Sequence, residues 1–179
     1  EHGTTYYWSI NLTDNKTWTN QTFHFTTILG DILVNDDANP SWYDATHVRT
    51  IQEGIDNASS DDIIYVYNGT YYENIIINKT ISLIGENKNT TIIDGGGSGD
   101  VVHVSADYIN ISGFTIKNSG AFYCEPNCDA GADIRSDHNT ITNNNIIQND
   151  LLGIWLYYAS NNNITENNVT DNDNDGINL

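Results

Sequence analysis

Residues 139–146 read NTITNNNI, and residues 162–169, 23 positions further along, read NNITENNV. The same shift of 23 residues pairs Asn149 with Asn172. A repeat of this length that keeps its apolar and asparagine positions is too short for a propeller blade and suits one coil of a solenoid. A leucine-rich repeat has a similar period, but its regularly spaced leucines are missing here. The repeat therefore predicts a parallel β-helix.

The repeat also predicts which side chains stack. In a parallel β-helix, inward apolar side chains of successive coils form ladders, with backbones about 4.8 Å apart. Ile141 should then lie beside Ile164, and Ile146 beside Val169. Asparagines at equivalent turns should hydrogen-bond to the neighbouring coil.

The preceding sequence has the same character. From residue 61 onward, short runs rich in Ile, Val and Tyr alternate with turns rich in Asn, Asp and Gly, without the two-residue signatures of hairpins. Residues 50–58 (TIQEGIDNA) carry the one convincing helical period, with Ile51 and Ile55 on one face and a capping-box pattern formed by Thr50 and Glu53. We expect one short helix followed by β structure.

Residues 50–58 together with residues 61–74 (DDIIYVYNGTYYEN) resemble the start of right-handed parallel β-helix proteins of the pectin-lyase-like superfamily. The last coils are similar to NosD-type repeats of surface proteins, and the resemblance covers residues 32–179. It implies an all-β, right-handed parallel β-helix whose short α-helix caps the N-terminal end.

The sequence pattern of residues 1–30 predicts a separate β-hairpin. Trp8 and Ile10 alternate with polar residues, as do Phe23 and Phe25, and the pair of strands resembles the end of a fibronectin type III or related immunoglobulin-like domain. We therefore expect the β-helix domain to span residues 31–179. Its last predicted strand reaches Leu179 without a polar cap, so we expect the domain to be truncated at the C-terminus.

Composition limits the function. Six Lys and Arg residues against 24 Asp and Glu residues give a net charge of −18, which excludes a basic nucleic-acid-binding surface. No apolar run approaches the roughly 20 residues of a membrane span. The chain contains 27 Asn and 18 Asp residues but only 6 Glu residues, which favours turns over helices.

Sequons and cysteines indicate an extracellular, cell-surface protein. Asn-x-Ser/Thr occurs about twice as often as chance would give, which predicts N-glycosylation. Cys124 and Cys128 are too few for a zinc site and predict a small disulfide loop, with free thiols as the alternative. The sequons lie at Asn11, Asn15, Asn20, Asn57, Asn68, Asn78, Asn89, Asn110, Asn163 and Asn168.

Metal-binding signals are weak. Asp171, Asp173 and Asp175 form the Asp-x-Asp-x-Asp-Gly opening of a calcium loop, but the same residues also read as an ordinary turn before Gly176. The five histidines are scattered and Met is absent, so copper, which the NosD resemblance suggests, is not expected. Apart from calcium, no cofactor is predicted.

Candidates for chemistry are equally sparse. Asp133 and Arg135 place an acid and a base on one strand face, as a lyase would need and as a surface ion pair would also explain. Several aromatic residues could line a sugar-binding face or simply stack in the solenoid. These are Tyr71, Tyr72, Trp155, Tyr157 and Tyr158.

The sequence thus favours a structural or adhesive β-helix module of a glycosylated cell-surface, sheath or filament protein, and leans against an enzyme. The alternative is a carbohydrate-active enzyme, similar to a polysaccharide lyase, or a carbohydrate-binding module. Expected partners are other surface proteins, a polysaccharide, or further copies of the chain in head-to-tail self-association. An acid–base cluster in one groove would favour the carbohydrate-related alternative.

Overall fold

A computed structural model describes residues 5–13, 18–26, 30–122 and 128–179 of the chain. The chain divides into two compact units, Glu1–Gly30 and Asp31–Leu179. Each unit is described by itself.

The first unit is a β-hairpin. Strands β1 (Thr5–Thr13) and β2 (Trp18–Thr26) pair antiparallel, with Trp8 directly opposite Phe23. The two rings stack with centroids 4.6 Å apart, as a directly opposed aromatic pair allows. The hairpin is as predicted, whereas its relation to a fibronectin type III domain stays a prediction.

The second unit is a parallel β-helix with three sheets. Sheet 1 contains, in spatial order, β4 (His47–Val48), β3 (Ile32–Val34), β5 (Ile63–Val66), β8 (Ser82–Gly85), β11 (Asn110–Ser112), β14 (Thr140–Thr142) and β17 (Asn163–Thr165). Sheet 2 contains β6 (Gly69–Tyr72), β9 (Thr91–Asp94), β12 (Thr115–Lys117), β15 (Asn145–Ile147) and β18 (Asn168–Thr170). Sheet 3 contains β7 (Ile75–Ile77), β10 (Val102–Val104), β13 (Ala130–Ile134), β16 (Leu152–Leu156) and β19 (Ile177–Asn178). From β5 onward the chain visits the three sheets in turn, so that each set of three strands is one coil.

The predicted ladders are confirmed. Ile141 pairs with Ile164 in sheet 1, and Ile146 pairs with Val169 in sheet 2. Ile111, Ile141 and the other inward side chains of the inner coils are fully buried. One apolar core therefore runs along the axis of the solenoid and fixes the register of all three sheets.

A short helix covers the first coil. Helix α1 (Ile51–Asn57) begins at Thr50, whose hydroxyl accepts a hydrogen bond from the Glu53 N–H at 3.2 Å. Ile51 and Ile55 are fully buried in the core. The Gln52 side chain makes the two hydrogen bonds to Ile76 of β7 that a neighbouring strand would make. Its oxygen accepts from the Ile76 N–H at 2.8 Å, and its amide group donates to the Ile76 carbonyl at 3.4 Å. The helix predicted over residues 50–58 is thus confirmed as a cap.

In the residues that the structure describes, helical structure is otherwise limited to a 3₁₀ turn at Pro40–Trp42. Within the described parts of the chain, no helix is long and apolar enough to cross a bilayer.

Asparagines join each of the last coils to the coil before it. The side-chain oxygens of Asn162, Asn167 and Asn172 accept hydrogen bonds from backbone N–H groups 23 residues earlier, at 2.7, 2.9 and 3.1 Å. Their amide groups donate to backbone carbonyls of that same earlier coil at 2.7–3.1 Å. Backbone N–H groups 30 residues earlier likewise donate to the side-chain oxygens of Asn139, Asn144 and Asn149. We call these six residues the Asn clamps.

Replacement of a clamp should destabilise the β-helix. Asn144 is fully buried and bonds the Phe114 N–H and the Ile111 carbonyl, so Asn144→Ala leaves two buried backbone groups without these partners. We expect a loss of about 2–4 kcal/mol in the free energy of unfolding, measured by urea denaturation. The exposed Asn168, replaced by Ala, serves as the control and should change stability by less than about 0.5 kcal/mol. Equal effects of the two substitutions would contradict the role of the clamps.

Candidate functional site

The outward face of sheet 3 carries the chemically active side chains of the β-helix. Val102 and Val104 of β10 point into the core, so His103 between them points outward. Asp133 lies opposite His103 on β13, between the inward Ala132 and Ile134. From the first coil to the last, the paired outward positions are Ile76, His103, Asp133, Trp155 and Asn178.

His103 stands between two carboxylates. Its Nδ1 lies 2.9 Å from Asp133 Oδ2 and 3.7 Å from Asp100 Oδ2. Asp100 precedes β10 and is anchored through its Oδ1, which accepts a hydrogen bond from the Ala130 N–H at 2.8 Å. The Asp133 side chain has no exposed surface, and its Oδ1 is buried without a hydrogen-bond partner.

Arg135 extends this cluster toward aromatic rings. Its Nε donates to Asp133 Oδ2 at 2.7 Å, which is the ion pair that the spacing of the two residues predicts. Its guanidinium lies 5.1 Å from the ring centre of Trp155 and 5.3 Å from that of Tyr157, within the range of cation–π attraction. The ring of Tyr158, which is 89% exposed, packs edge to face against the ring of Tyr157, with the two ring centroids 4.5 Å apart.

A cleft of about 430 Å³ opens beside His103. Its wall includes a glycine-rich loop at residues 95–100, which the Asn74 amide holds through hydrogen bonds to the Ser98 and Asp100 carbonyls at 2.6 and 2.7 Å. The residues that line the cleft are Asn74, Ile75, Ile76, Ser98, Gly99, Asp100 and His103. The acid–base cluster therefore borders a concave surface of the size that small ligands occupy.

The carboxylates change the protonation of the imidazole. Asp100 and Asp133 together raise the pKa of His103 to about 9, against the opposing effect of burial. Burial in turn raises the pKa of Asp100, and the interaction with the nearby His103 imidazole partly offsets that increase. At neutral pH the ring is a cation held between two acids.

The structure brings together some of the predicted candidates and not others. Trp155, Tyr157 and Tyr158 lie close together, but Trp155 is only 4% exposed. Tyr71 is 3% exposed, and its hydroxyl donates to the Tyr67 carbonyl in the core. Of these four rings, only those of Tyr157 and Tyr158 are therefore open to a sugar.

The predicted calcium ligands Asp171, Asp173 and Asp175 are exposed. Across the described ranges, one group of three potential metal ligands has its atoms within 4.8 Å of one another, and that group is Asp100, His103 and Asp133. Calcium binding at residues 171–175 stays a prediction.

The predicted disulfide also stays a prediction. Cys124 lies outside the described residues. Cys128 is buried in a small apolar cluster with Ala130, Leu152 and Trp155.

Sequence reasoning missed His103 and Asp100 as parts of a site. They lie about 30 residues before Asp133, and the repeat visible in the sequence has a period of 23 residues and covers only the last coils. The available signal was local, because a histidine between two valines of a predicted strand has to point outward.

A family model described as "Periplasmic copper-binding protein (NosD)" matches residues 55–179, well over half of the chain. The chain belongs to the NosD family. The resemblance stated from the sequence is thereby confirmed for the β-helix. A comparison with curated protein sequences finds no match.

The fold of this NosD-family chain also occurs in pectin methylesterase. A crystal structure of that enzyme in complex with a hexasaccharide matches with a TM-score of 0.51 and 15% sequence identity. The match covers 70% of the NosD-family chain and 48% of the esterase chain, so it spans about half the length of the enzyme. At this identity the likeness establishes the parallel β-helix fold and nothing beyond it.

The family description raises the question of copper. Cu(I) prefers thiolate and thioether ligands, but this NosD-family chain has no Met, and Cys128 lies in its own apolar cluster. The ligand group on sheet 3 offers one imidazole and two carboxylates. These residues do not fit a soft copper site.

The raised pKa of His103 makes stability depend on pH. Because the pKa in the folded protein, about 9, is above the ordinary value of 6.5, the stabilisation is complete below about pH 6.5 and is lost as the pH rises through 9. We compare the free energy of unfolding at pH 7 and pH 10, in EDTA, for the native protein and for His103→Gln. The decrease between the two pH values should be about 1–2 kcal/mol larger in the native protein, after allowance for the solvent exposure of the ring. Urea denaturation at the two pH values measures this, and identical losses in the two proteins would refute it.

Proposed function

We propose that the chain is an extracellular, adhesive β-helix module of the cell envelope that binds a polysaccharide on the outward face of sheet 3. The family description, which is periplasmic, supports a location outside the cytoplasm. The proposal combines the adhesive role expected from the sequence with its carbohydrate-binding alternative.

The observation that carries the proposal is the composition of this single face. A cleft bordered by Asp100 and His103 is connected through Asp133 and Arg135 to a group of aromatic rings ending at Tyr158. Sugar rings present apolar C–H faces and a rim of hydroxyl groups. Aromatic rings match the faces, while carboxylate, amide and guanidinium groups match the hydroxyls.

The side chains on the outward face of sheet 3 are held in fixed positions, which favours binding. The buried Asp133 and Trp155 lie on paired positions next to His103 and contact Arg135 and Tyr157, so they hold the more accessible side chains of this face in place. A preorganised face loses little conformational entropy when it binds an extended chain. The β-helix that matches in fold, pectin methylesterase, has itself been crystallised with a hexasaccharide.

The aromatic end of this face should be needed for polysaccharide binding. We expect gels that contain a suitable soluble polysaccharide, from a panel of neutral and acidic polymers, to retard the native protein. Tyr158→Ala should weaken retardation at least threefold, because it removes an 89% exposed ring that packs against Tyr157, the neighbour of Arg135. Tyr108→Ala, which removes another exposed ring outside this face, is the matched control and should bind like the native protein.

The proposal fails if no polymer retards the protein or if both variants bind equally. The same mixtures test the lyase alternative. Polygalacturonate with calcium should yield no unsaturated product absorbing in the ultraviolet, and release abolished by Arg135→Ala would point to an enzyme instead.

Glycans should cover other surfaces of the module. Seven predicted sites have exposed side chains: Asn20, Asn57, Asn68, Asn78, Asn89, Asn163 and Asn168. Asn110 is half-buried and its Oδ1 is fully buried, so a glycosyltransferase could not reach the folded side chain. Asn11 and Asn15 lie outside the described side chains.

Glycopeptide mass spectrometry of natively produced protein should therefore find hexose on several of the seven exposed sites and none on Asn110. Native material without added hexose at any sequon would show that the module is not N-glycosylated.

A further inference from the structure

The group formed by Asp100, His103 and Asp133 has the composition of a metal site. One ligand atom from each residue lies within 4.8 Å of the other two. One imidazole and two carboxylates are nitrogen and oxygen ligands, which suit borderline and hard divalent cations. The group lies on the sheet rather than in the acidic turn at residues 171–175.

Asp133 supplies an independent observation. Its side chain has no exposed surface, faces His103 across the strand pair, and holds Oδ1 buried without a hydrogen-bond partner. A desolvated carboxylate oxygen without a partner destabilises the folded protein. Asp133 Oδ2 is already paired with His103 and Arg135, so Oδ1 is the atom of this carboxylate that is left for a cation.

The spacing of the ligands suits a small cation. Ligand atoms about 2.0–2.2 Å from a tetrahedral Zn²⁺ ion are about 3.3 Å from one another. The distances from His103 Nδ1 to the two carboxylate oxygens, 2.9 Å and 3.7 Å, lie on either side of that value. The ligand atoms of the two carboxylates also lie within 4.8 Å of each other, so a shift of the side chains would bring all three ligands around one ion.

The surroundings hold these ligands in position. Asp100 is bonded to the Ala130 N–H, and Arg135 donates to Asp133 Oδ2 while stacking on Trp155. Hydrogen bonds from outside the ligand set orient carboxylates in this way in metal sites. Arg135 also offsets part of the negative charge of Asp133, and a bound ion would take the place of the proton on His103 Nδ1.

We propose that Asp100, His103 and Asp133 bind a divalent cation of the Zn²⁺ class, with its remaining coordination position open to the adjacent cleft. Its imidazole and carboxylate ligands differ from the thiolate and thioether ligands that a Cu(I) site would use. It goes beyond polysaccharide binding, because the ion binds whether or not a sugar occupies the face.

Isothermal titration of the metal-free chain with ZnCl₂, without any sugar, tests the site. We expect one Zn²⁺ ion per chain, and a loss of affinity of at least tenfold in both His103→Gln and Asp100→Asn. Asp175→Asn removes an exposed carboxylate from the acidic turn and should bind Zn²⁺ like the native protein. Circular dichroism identifies any variant that has lost its fold, and the partly exposed Asp100 is the safer of the two ligand positions.

Two results would overturn the proposal. One is native protein that binds no Zn²⁺, or binds it as well after His103→Gln and Asp100→Asn as before. The other is Cu(I), supplied with a competing chelator, that binds the chain and is lost in His103→Gln, which would make the site a copper site. Because the titration contains no polysaccharide, its failure is independent of the failure of polysaccharide binding.

Discussion

The β-helix depends on how the backbone groups at its corners are satisfied. Between strands the ladder of sheet hydrogen bonds is interrupted, and each corner would leave buried N–H and C=O groups without partners. In the last coils the Asn clamps solve this with one side chain per corner, which accepts from an N–H and donates to a carbonyl of the coil before it. Because a clamp bonds only at one register, it fixes both the stacking of the coils and the alternation of inward and outward side chains.

That fixed register produces the chemistry of sheet 3. His103 and Asp133 are distant in sequence, yet strand pairing puts them directly opposite each other. The same pairing puts Trp155 next to Asp133, where its ring packs under the Arg135 guanidinium. The acid–base cluster, the cleft and the aromatic rings are thus consequences of one outward row on a rigid solenoid.

Much of this fold could be predicted because it repeats. The 23-residue shift gave the pairs Ile141–Ile164 and Ile146–Val169, and the capping pattern of residues 50–58 gave the helix. The site could not be predicted in the same way, because the coil before the visible repeat is longer, at 30 residues, and lacks its asparagines. Without that register, His103 was one scattered histidine, and Tyr71 could not be distinguished from the exposed Tyr72.

The Asn clamps also bear on how such a chain can evolve. A 23-residue unit contributes three strands together with the Asn side chains that bond it to the coil before. Its own backbone N–H groups at the equivalent positions donate to the Asn side chains of the next unit. A tandem duplication of 23 codons would therefore add a complete coil in register, without compensating substitutions in either neighbour. The length of the solenoid can change by unequal recombination, while the acid–base cluster, built on longer coils without that period, stays outside the duplicated unit.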